Sequence, residues 1–237
     1  MYVIMAMSIC QEGCMLETKV EGFIIKHREG SFDWAIIDEV ITNDCYRVKK
    51  LHLPNNAVIV DVGAQIGIFS VFVASRYPNA KIFSYEMLKE NFKWLEENTK
   101  PYLNIMPFNM AVIGDRKAIG CNTHPTNSGG HSLVFKGNCN HTIGNQISID
   151  KIISTKQIDL FKCDCEGSEF DIFKKLQKEN MLKSIKRIAM ECHLHYGNKL
   201  KEITDLLDLN DFTYDTHHNT GDRKLVEIHA VQKGLDW

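Results

Sequence analysis

The sequence predicts an α/β fold: a doubly wound, mostly parallel seven-stranded sheet with a C-terminal antiparallel hairpin and a small N-terminal cap. Three observations carry that expectation. Short β-branched runs alternate with helical patterns from Val58 onward, as parallel strands joined by crossover helices require. A glycine-bearing turn, Asp61-Val62-Gly63-Ala64-Gln65-Ile66-Gly67, leads from the first run straight into a helical stretch. The last two strand-like runs have no helix between them, which suits a hairpin.

The elements follow in order. Val58–Val62 is nearly continuous in β-branched residues, like a strand buried on both faces. Residues 66–77 read as a helix stopped by Pro78-Asn79. Residues 81–86 make the second strand, and 88–99 a helix with Phe92 and Leu95 inward and Pro101 just beyond. A third strand spans 104–112, closed by Gly114-Asp115, and a fourth spans 158–163. Phe170, Phe173 and Leu176 form one apolar stripe on a helix over 168–178. The fifth strand, 185–192, precedes a helix carrying Leu200, Ile203, Leu206 and Leu207. Strands 212–216 and 225–231, joined through the turn-rich 217–222, complete the sheet.

Two regions break the alternation. Residues 1–55 hold a strand candidate (20–26) and a helix candidate (32–41, with Trp34, Ile37, Val40 and Ile41), too little for an independent domain. They read as a cap on the domain formed by 56–237, with Trp34 and Trp94 as packing residues. Residues 119–146 are rich in Asn, Gly, Ser, Thr and His, and a loop this long in a compact domain marks a substrate loop or disorder.

Composition narrows the function. With 28 basic and 30 acidic residues the net charge is −2, which offers no broad footprint for nucleic acid or a membrane surface. No apolar run is long enough to span a bilayer. The apolar opening stretch lacks the basic segment and cleavage site of a signal peptide. Eight cysteines occur without a C-x-x-C, so reduced thiols in a cytoplasmic protein are expected. Cys163, Cys165, Cys192, His193 and His195 could converge on zinc, but buried thiols on strands explain the cysteines more simply.

The glycine turn points to a nucleoside site. Gly63 permits the tight turn, Gly67 lets helix and strand approach, and the backbone at Ala64 can reach a ligand. Glu86, about 20 residues past Gly67, sits at the strand tip where an acid meets ribose hydroxyls. A dinucleotide loop needs glycine where this chain has Gln65. Asp61 would repel a phosphate and attract a cation. S-Adenosylmethionine is such a cation, which favours it over NAD. The plainer alternative is that Asp61 caps the turn and Glu86 is a solvated strand-end acid.

A second acidic cluster follows the fourth strand. Asp164, Glu166 and Glu169 lie at the carboxyl edge, where doubly wound sheets bind ligands. One carboxylate could take a hydroxyl proton, and another could face the cofactor or hold a divalent ion such as Mg2+, with Asp164 and Glu191 the weak candidates for it. Glu166 and Glu169 equally suit a helix N-terminus, where anions gain about 0.3–1 kcal/mol. His193 beside them is a base candidate or a structural histidine. Glu191 and His131 are the substrate-contact candidates.

The run 60–67, the run 159–169 and the Ser128-Gly129-Gly130-His131-Ser132 loop together resemble the FkbM-type methyltransferases over roughly residues 35–233. Gln65 replaces the family's usual Asn, Met87 a common Pro, and Cys163 and Cys165 the usual aliphatics. The resemblance implies a Rossmann-like, S-adenosylmethionine-dependent O-methyltransferase acting on a sugar or small metabolite. The cofactor set is then Asp61, Gly63, Ala64, Gln65, Gly67 and Glu86, joined by Asn109 and Ala111 at the end of the third strand. The catalytic set is Asp164, His193 and Glu166. Competing readings are an NAD-dependent oxidoreductase, disfavoured by the missing middle glycine and by the hairpin, and a non-catalytic cofactor-binding interaction module.

Overall fold

The computed structural model describes residues 3–4, 15–116, 120–121, 141–142, 145–153, 156–194, 197–219 and 221–237. His131, His195 and most of the 119–146 segment lie outside the described residues.

The chain opens with strands β1 (Val3–Ile4), β2 (Met15–Val20) and β3 (Phe23–Arg28), then helix α1 (Asp33–Ile37) and a π-helical turn, Asp38–Thr42. The central alternation runs β4 (Val58–Val62), α2 (Ile68–Arg76), β5 (Lys81–Glu86), α3 (Lys89–Thr99) and β6 (Ile105–Asn109). Short pieces follow: β7 (Ala111–Ile113), β8 (Gly120–Cys121), β9 (His141–Thr142), β10 (Gln146–Ser148) and α4 (Ile149–Ile153). The chain closes with β11 (Leu160–Cys163), α5 (Glu169–Lys178), β12 (Arg187–His193), α6 (Leu200–Leu209), β13 (Phe212–His218) and β14 (Leu225–Gln232).

Seven strands form the main sheet in the order β13-β14-β12-β11-β4-β5-β6. From β12 to β6 all pairings are parallel, and β14 runs antiparallel to both its neighbours. The expected sheet and closing hairpin are therefore present. Pro107 lies on the edge strand β6, where a missing N–H is tolerated.

Alternation along the buried strands divides the core in two. Val60, Val62, Phe161, Cys163, Ile188 and Met190 pack with α5 and α6 on one face. Ile59, Leu160, Ala189 and Ile82 pack on the other with α2 and the N-terminal segment. Helix α2 is apolar all round because it is enclosed: every residue from Ile68 to Ala74 is buried.

Four details depart from the sequence reading. The single strand expected at 20–26 is a hairpin turning at Glu21 (φ 47°) and Gly22 (φ 94°). The strand expected at 104–112 breaks after Asn109, and β7 leaves the main sheet to pair with β10. The helix expected at 32–41 is α for one turn and π-helical beyond it. Trp34 does not pack: it is 64% exposed, whereas Trp94 lies against the core.

The first 55 residues share their core with the domain, since Phe23, Ile25, Ile37, Val40 and Ile41 cluster with α2. Asn98 on α3 stitches the two together, accepting from the Lys26 amide (2.8 Å) and donating to the carbonyls of Lys26 and Ile66 (both 2.9 Å).

The backbones just past the ends of β4 and β11 approach closely. A Cβ added to Gly63, already at φ 78°, would stand 1.7 Å from the Asp164 carbonyl oxygen. Gly22 shares the positive φ but faces open space. Gly63→Ala is expected to cost more than about 3 kcal/mol, and Gly22→Ala about 1–2 kcal/mol. Urea unfolding of the two variants checks this, and equal costs would remove the steric role of Gly63.

Candidate active site at the carboxyl edge

The glycine loop is pinned to the second strand. The amides of Gly63 and Ala64 both donate to the Tyr85 carbonyl, at 3.0 and 2.9 Å. Gln65 adopts φ 51°, unusual for a residue with a side chain, and its amide donates to Glu86 Oε2 at 2.9 Å. Gly67, at φ 92°, leads into α2, and a Cβ there would meet Leu95 Cδ1 at 2.8 Å. The close approach expected at Gly67 is thus to α3, not to the strand.

Glu86 is buried at the tip of β5 and also accepts from the Leu88 amide at 2.8 Å. Burial pushes its carboxyl up to about 7, with the hydrogen bonds to Leu88 and Gln65 opposing the shift. Asn109 faces it across β5–β6 and donates to the carbonyls of Glu86 and Met87, at 2.9 and 3.2 Å. Ala111 lies one step beyond, buried at the start of β7.

Lys162 joins the two acidic motifs. It sits in the middle of β11 in register with Asp61 on β4, and both side chains are buried. Its ammonium donates to the Gly63 carbonyl at 2.7 Å and lies 3.3 Å from Asp61 Oδ1 and 3.8 Å from Asp164 Oδ2. Burial lowers its pKa, but Asp61 and Asp164 more than reverse that, so the amine stays charged. Ser70 donates to Asp61 Oδ2 at 2.7 Å, whereas the buried Oδ1 receives no hydrogen bond. The cation that Asp61 faces inside the protein is therefore Lys162.

Asp164 lies at the edge of the same cluster. Tyr46, from the N-terminal segment, donates to its Oδ2 at 2.8 Å, and Oδ1 receives no hydrogen bond from the described residues. Burial, then the charge of Asp164, pushes the Tyr46 phenol well above its usual range, so it remains a donor.

His193 is clamped. Its Nε2 lies 3.2 Å from Glu166 and its Nδ1 3.2 Å from Glu169. Glu169 is held by the amides of Cys165 (2.8 Å) and Gly167 (2.9 Å). Burial opposes a charge on His193, but the Glu169 and Glu166 carboxylates overcome it and hold the imidazole protonated. Both ring nitrogens thus face carboxyl groups, one from the turn after β11 and one from the start of α5. Burial also pushes Glu166 up to about 7, against the pull of His193.

Glu191 completes the edge. Burial, then Asp164, drives its carboxyl well above the ordinary range. On the next strand its register partner is Glu227, a like-charge pair. Asp164, Glu191 and His193 bring their donor atoms within 4.8 Å of one another. Among the described residues no cysteine joins such a group, although Cys163 and Cys165 lie 3.7 Å apart.

The sequence reading assigned no role to Lys162 or Tyr46. Lys162 left a signal, being a charge inside an otherwise apolar strand, in the same run as Asp164. Tyr46 left none, because its partner lies 118 residues away.

A parallel sheet with one reversed strand, a glycine turn after β4, acids at the tips of β5 and β11 and no phosphate-binding middle glycine defines a Rossmann-like methyltransferase. A family model described as the methyltransferase FkbM domain matches residues 61–216, and the chain belongs to that family of S-adenosylmethionine-dependent enzymes. Methyltransferase sdnD of Sordaria araneosa is 26% identical over 189 residues, covering 61% of this chain and 69% of its own. AMB antimetabolite synthetase AmbE of Pseudomonas aeruginosa is 36% identical over 84 residues, 35% of this chain but 4% of its own length. The fold is similar to TYW2 of M. jannaschii solved with AdoMet (TM-score 0.53, 13% identity, 94% of this chain and 86% of that one). It is also similar to a chain of the fibrillarin/Nop5p complex (TM-score 0.52, 15% identity, 95% and 97%). Among the described residues no helix is long and apolar enough to cross a membrane.

Glu86 and Glu166 hold protons up to about pH 7, whereas the unfolded chain releases them near 4.5. The native state binds more protons across that window, so stability falls as pH rises through it. His193, held above 6.5, extends the fall to higher pH. His229, held down to about 4, and His27, also lowered by burial, oppose the fall below 6.5, so the melting temperature is expected to drop from pH 6.5 to pH 8, and Glu86→Gln to flatten the slope by the share of one proton. A melting temperature that rises over this range would contradict the assignment.

Proposed function

We propose that the protein transfers a methyl group from S-adenosylmethionine to a hydroxyl of a sugar or small metabolite, with Asp164 as the base. The observation that carries this reading is the treatment of Asp164. It is the edge carboxylate supplied with both a cation, Lys162, and a phenol donor, Tyr46, while one oxygen stays available.

The residues present fit the cofactor. Asp164, Glu166 and Glu191 gather acids at the carboxyl edge, which suits a ligand that is cationic and lacks phosphate, while Asp61 holds the loop from within through Lys162. Glu86 has a buried carboxylate at the strand tip, where two ribose hydroxyls can donate to it. Gly63, Ala64, Gln65 and Gly67 present the backbone between them. Asn109 fixes the carbonyls around Glu86, and Ala111 begins the turn away from the site.

S-Adenosylmethionine, when bound, supplies an already activated methyl group, so the protein mainly aligns the acceptor and removes one proton. Proximity of this kind is worth about 7–11 kcal/mol. Asp164 takes the proton from the acceptor hydroxyl through its free oxygen. Lys162 and Tyr46 hold the other oxygen and balance the charge. Glu191, beside Asp164, and His131 are read as substrate contacts, and the 119–146 segment as the substrate loop.

Oxygen is favoured over nitrogen because Cys163-Asp164-Cys165-Glu166 lacks the Asp/Asn-Pro-Pro-aromatic tetrapeptide usual in base N-methylation. A net charge of −2 supports a small acceptor over nucleic acid or a membrane surface. The name of AmbE, an antimetabolite synthetase, also supports a small molecule. The thiols of Cys45, Cys163, Cys165 and Cys192 support a reducing, cytoplasmic setting.

Calorimetric titration is expected to show micromolar binding of S-adenosylmethionine and none of NAD. Transfer of labelled methyl to a panel of sugars and hydroxylated metabolites, with amines and RNA as comparators and with and without Mg2+, then finds the acceptor. Asp164→Asn is expected to cut turnover by about 10²–10⁴-fold, with cofactor affinity changed only a few-fold. Full turnover in that variant, or transfer to amines or RNA alone, would overturn this reading.

A further inference from the structure

A closed ring of buried and half-buried hydrogen bonds links the N-terminal cap to the nucleoside end of the site. Arg28 on β3 grips Asp33 on α1 through Nε (2.8 Å) and Nη2 (3.0 Å), and its own amide donates to the same carboxylate at 3.1 Å. Asp33 is fully buried and also accepts from Gln65 Nε2 at 2.9 Å. The Gln65 amide in turn donates to Glu86. On the other side, Arg28 Nη1 donates to Asn91 Oδ1 at 2.9 Å, and the Asn91 side chain donates to Glu86.

Both arms are directional. Because Arg28 occupies the Asn91 oxygen, the amide nitrogen of Asn91 is turned toward Glu86. Because Asp33 holds the Gln65 side chain, the loop keeps the left-handed conformation that aims the Gln65 amide at the other face of Glu86. The grip on Asp33 is a two-point guanidinium–carboxylate pair, the geometry that best fixes orientation. A buried acid that needed only a counter-charge would not require two relayed amides.

We infer that Arg28 and Asp33 are positioning residues for the cofactor ribose, acting through Gln65 and Asn91 to orient the Glu86 carboxylate. This rests on the reading of Glu86 as the ribose-binding acid. The cap thereby helps set cofactor specificity as well as closing the core.

The test measures binding, so it needs no acceptor. Dissociation constants of S-adenosylhomocysteine and of its 2′-deoxy and 3′-deoxy analogues are compared for wild type, Glu86→Gln, Asp33→Asn and Asn91→Ala, each checked for a folded melting transition. Wild type is expected to favour the intact ribose by roughly tenfold or more, the size of a hydrogen bond to a charged acceptor. Glu86→Gln is expected to lose that preference, and Asp33→Asn and Asn91→Ala to lose most of it. If Glu86→Gln loses it while the other two weaken all three ligands in equal proportion, or leave them unchanged, the ring is merely structural and the inference fails. If Glu86→Gln keeps the preference, the reading of Glu86 fails and takes the inference with it. Should Asp33→Asn not fold, Asn91→Ala, which removes no charge, decides alone.

Discussion

A charged amine fully enclosed between two parallel strands is the constraint on which the rest of this structure depends. Lys162 cannot lose its solvation shell without anions in reach, and the sheet supplies them from two sequence motifs about 100 residues apart. The register of β4 and β11 sets Lys162 beside Asp61, and the ammonium also reaches the carbonyl of Gly63. That contact holds the glycine loop close to β11, and only glycine at 63 fits between them. The two motifs therefore become one edge, with a neutralised carboxylate inside (Asp61) and an oriented one at the rim (Asp164).

Around that pair the site is arranged as paired charges that each fix a neighbour. Glu169 and Glu166 hold the imidazolium of His193, which ties the end of β12 to the start of α5. Arg28 and Asp33 pair within the cap, and Asp33 reaches the loop through the Gln65 side chain. At Glu191, burial and the charge of Asp164 outweigh the pull of His193 and raise the carboxyl, and at Glu227 burial does so against His217 and Arg47. The N-terminal segment is part of this arrangement through Tyr46 and Asp33, so its role extends beyond covering the core.

Most of the sheet was legible because its strands are short apolar runs with punctuated ends. The hairpin at 212–231 was legible for the same reason. What escaped were features decided by partners distant in sequence. The strand after Asn104 looked continuous, but pairing of Ala111 with Gln146 bends it out of the sheet. Trp34 looked like core by residue type, yet the short α1 leaves it facing outward. The acids of the site were visible as acids, and their neighbours were not. Nothing in the local sequence places Lys162 against Asp61, so that pair was not legible. The carboxyl groups that flank His193 come from another element, so the local sequence did not show them.

The most direct measurement is urea unfolding, with S-adenosylhomocysteine binding alongside, of Lys162→Met and of Lys162→Met combined with Asp61→Asn. Removing the cation alone leaves Asp61 buried and uncompensated, so the single variant is expected to lose about 3–5 kcal/mol and to bind weakly. Removing both charges is expected to restore much of the stability. A single variant with wild-type stability and affinity would contradict the account, because the two motifs would then stand together without the pair.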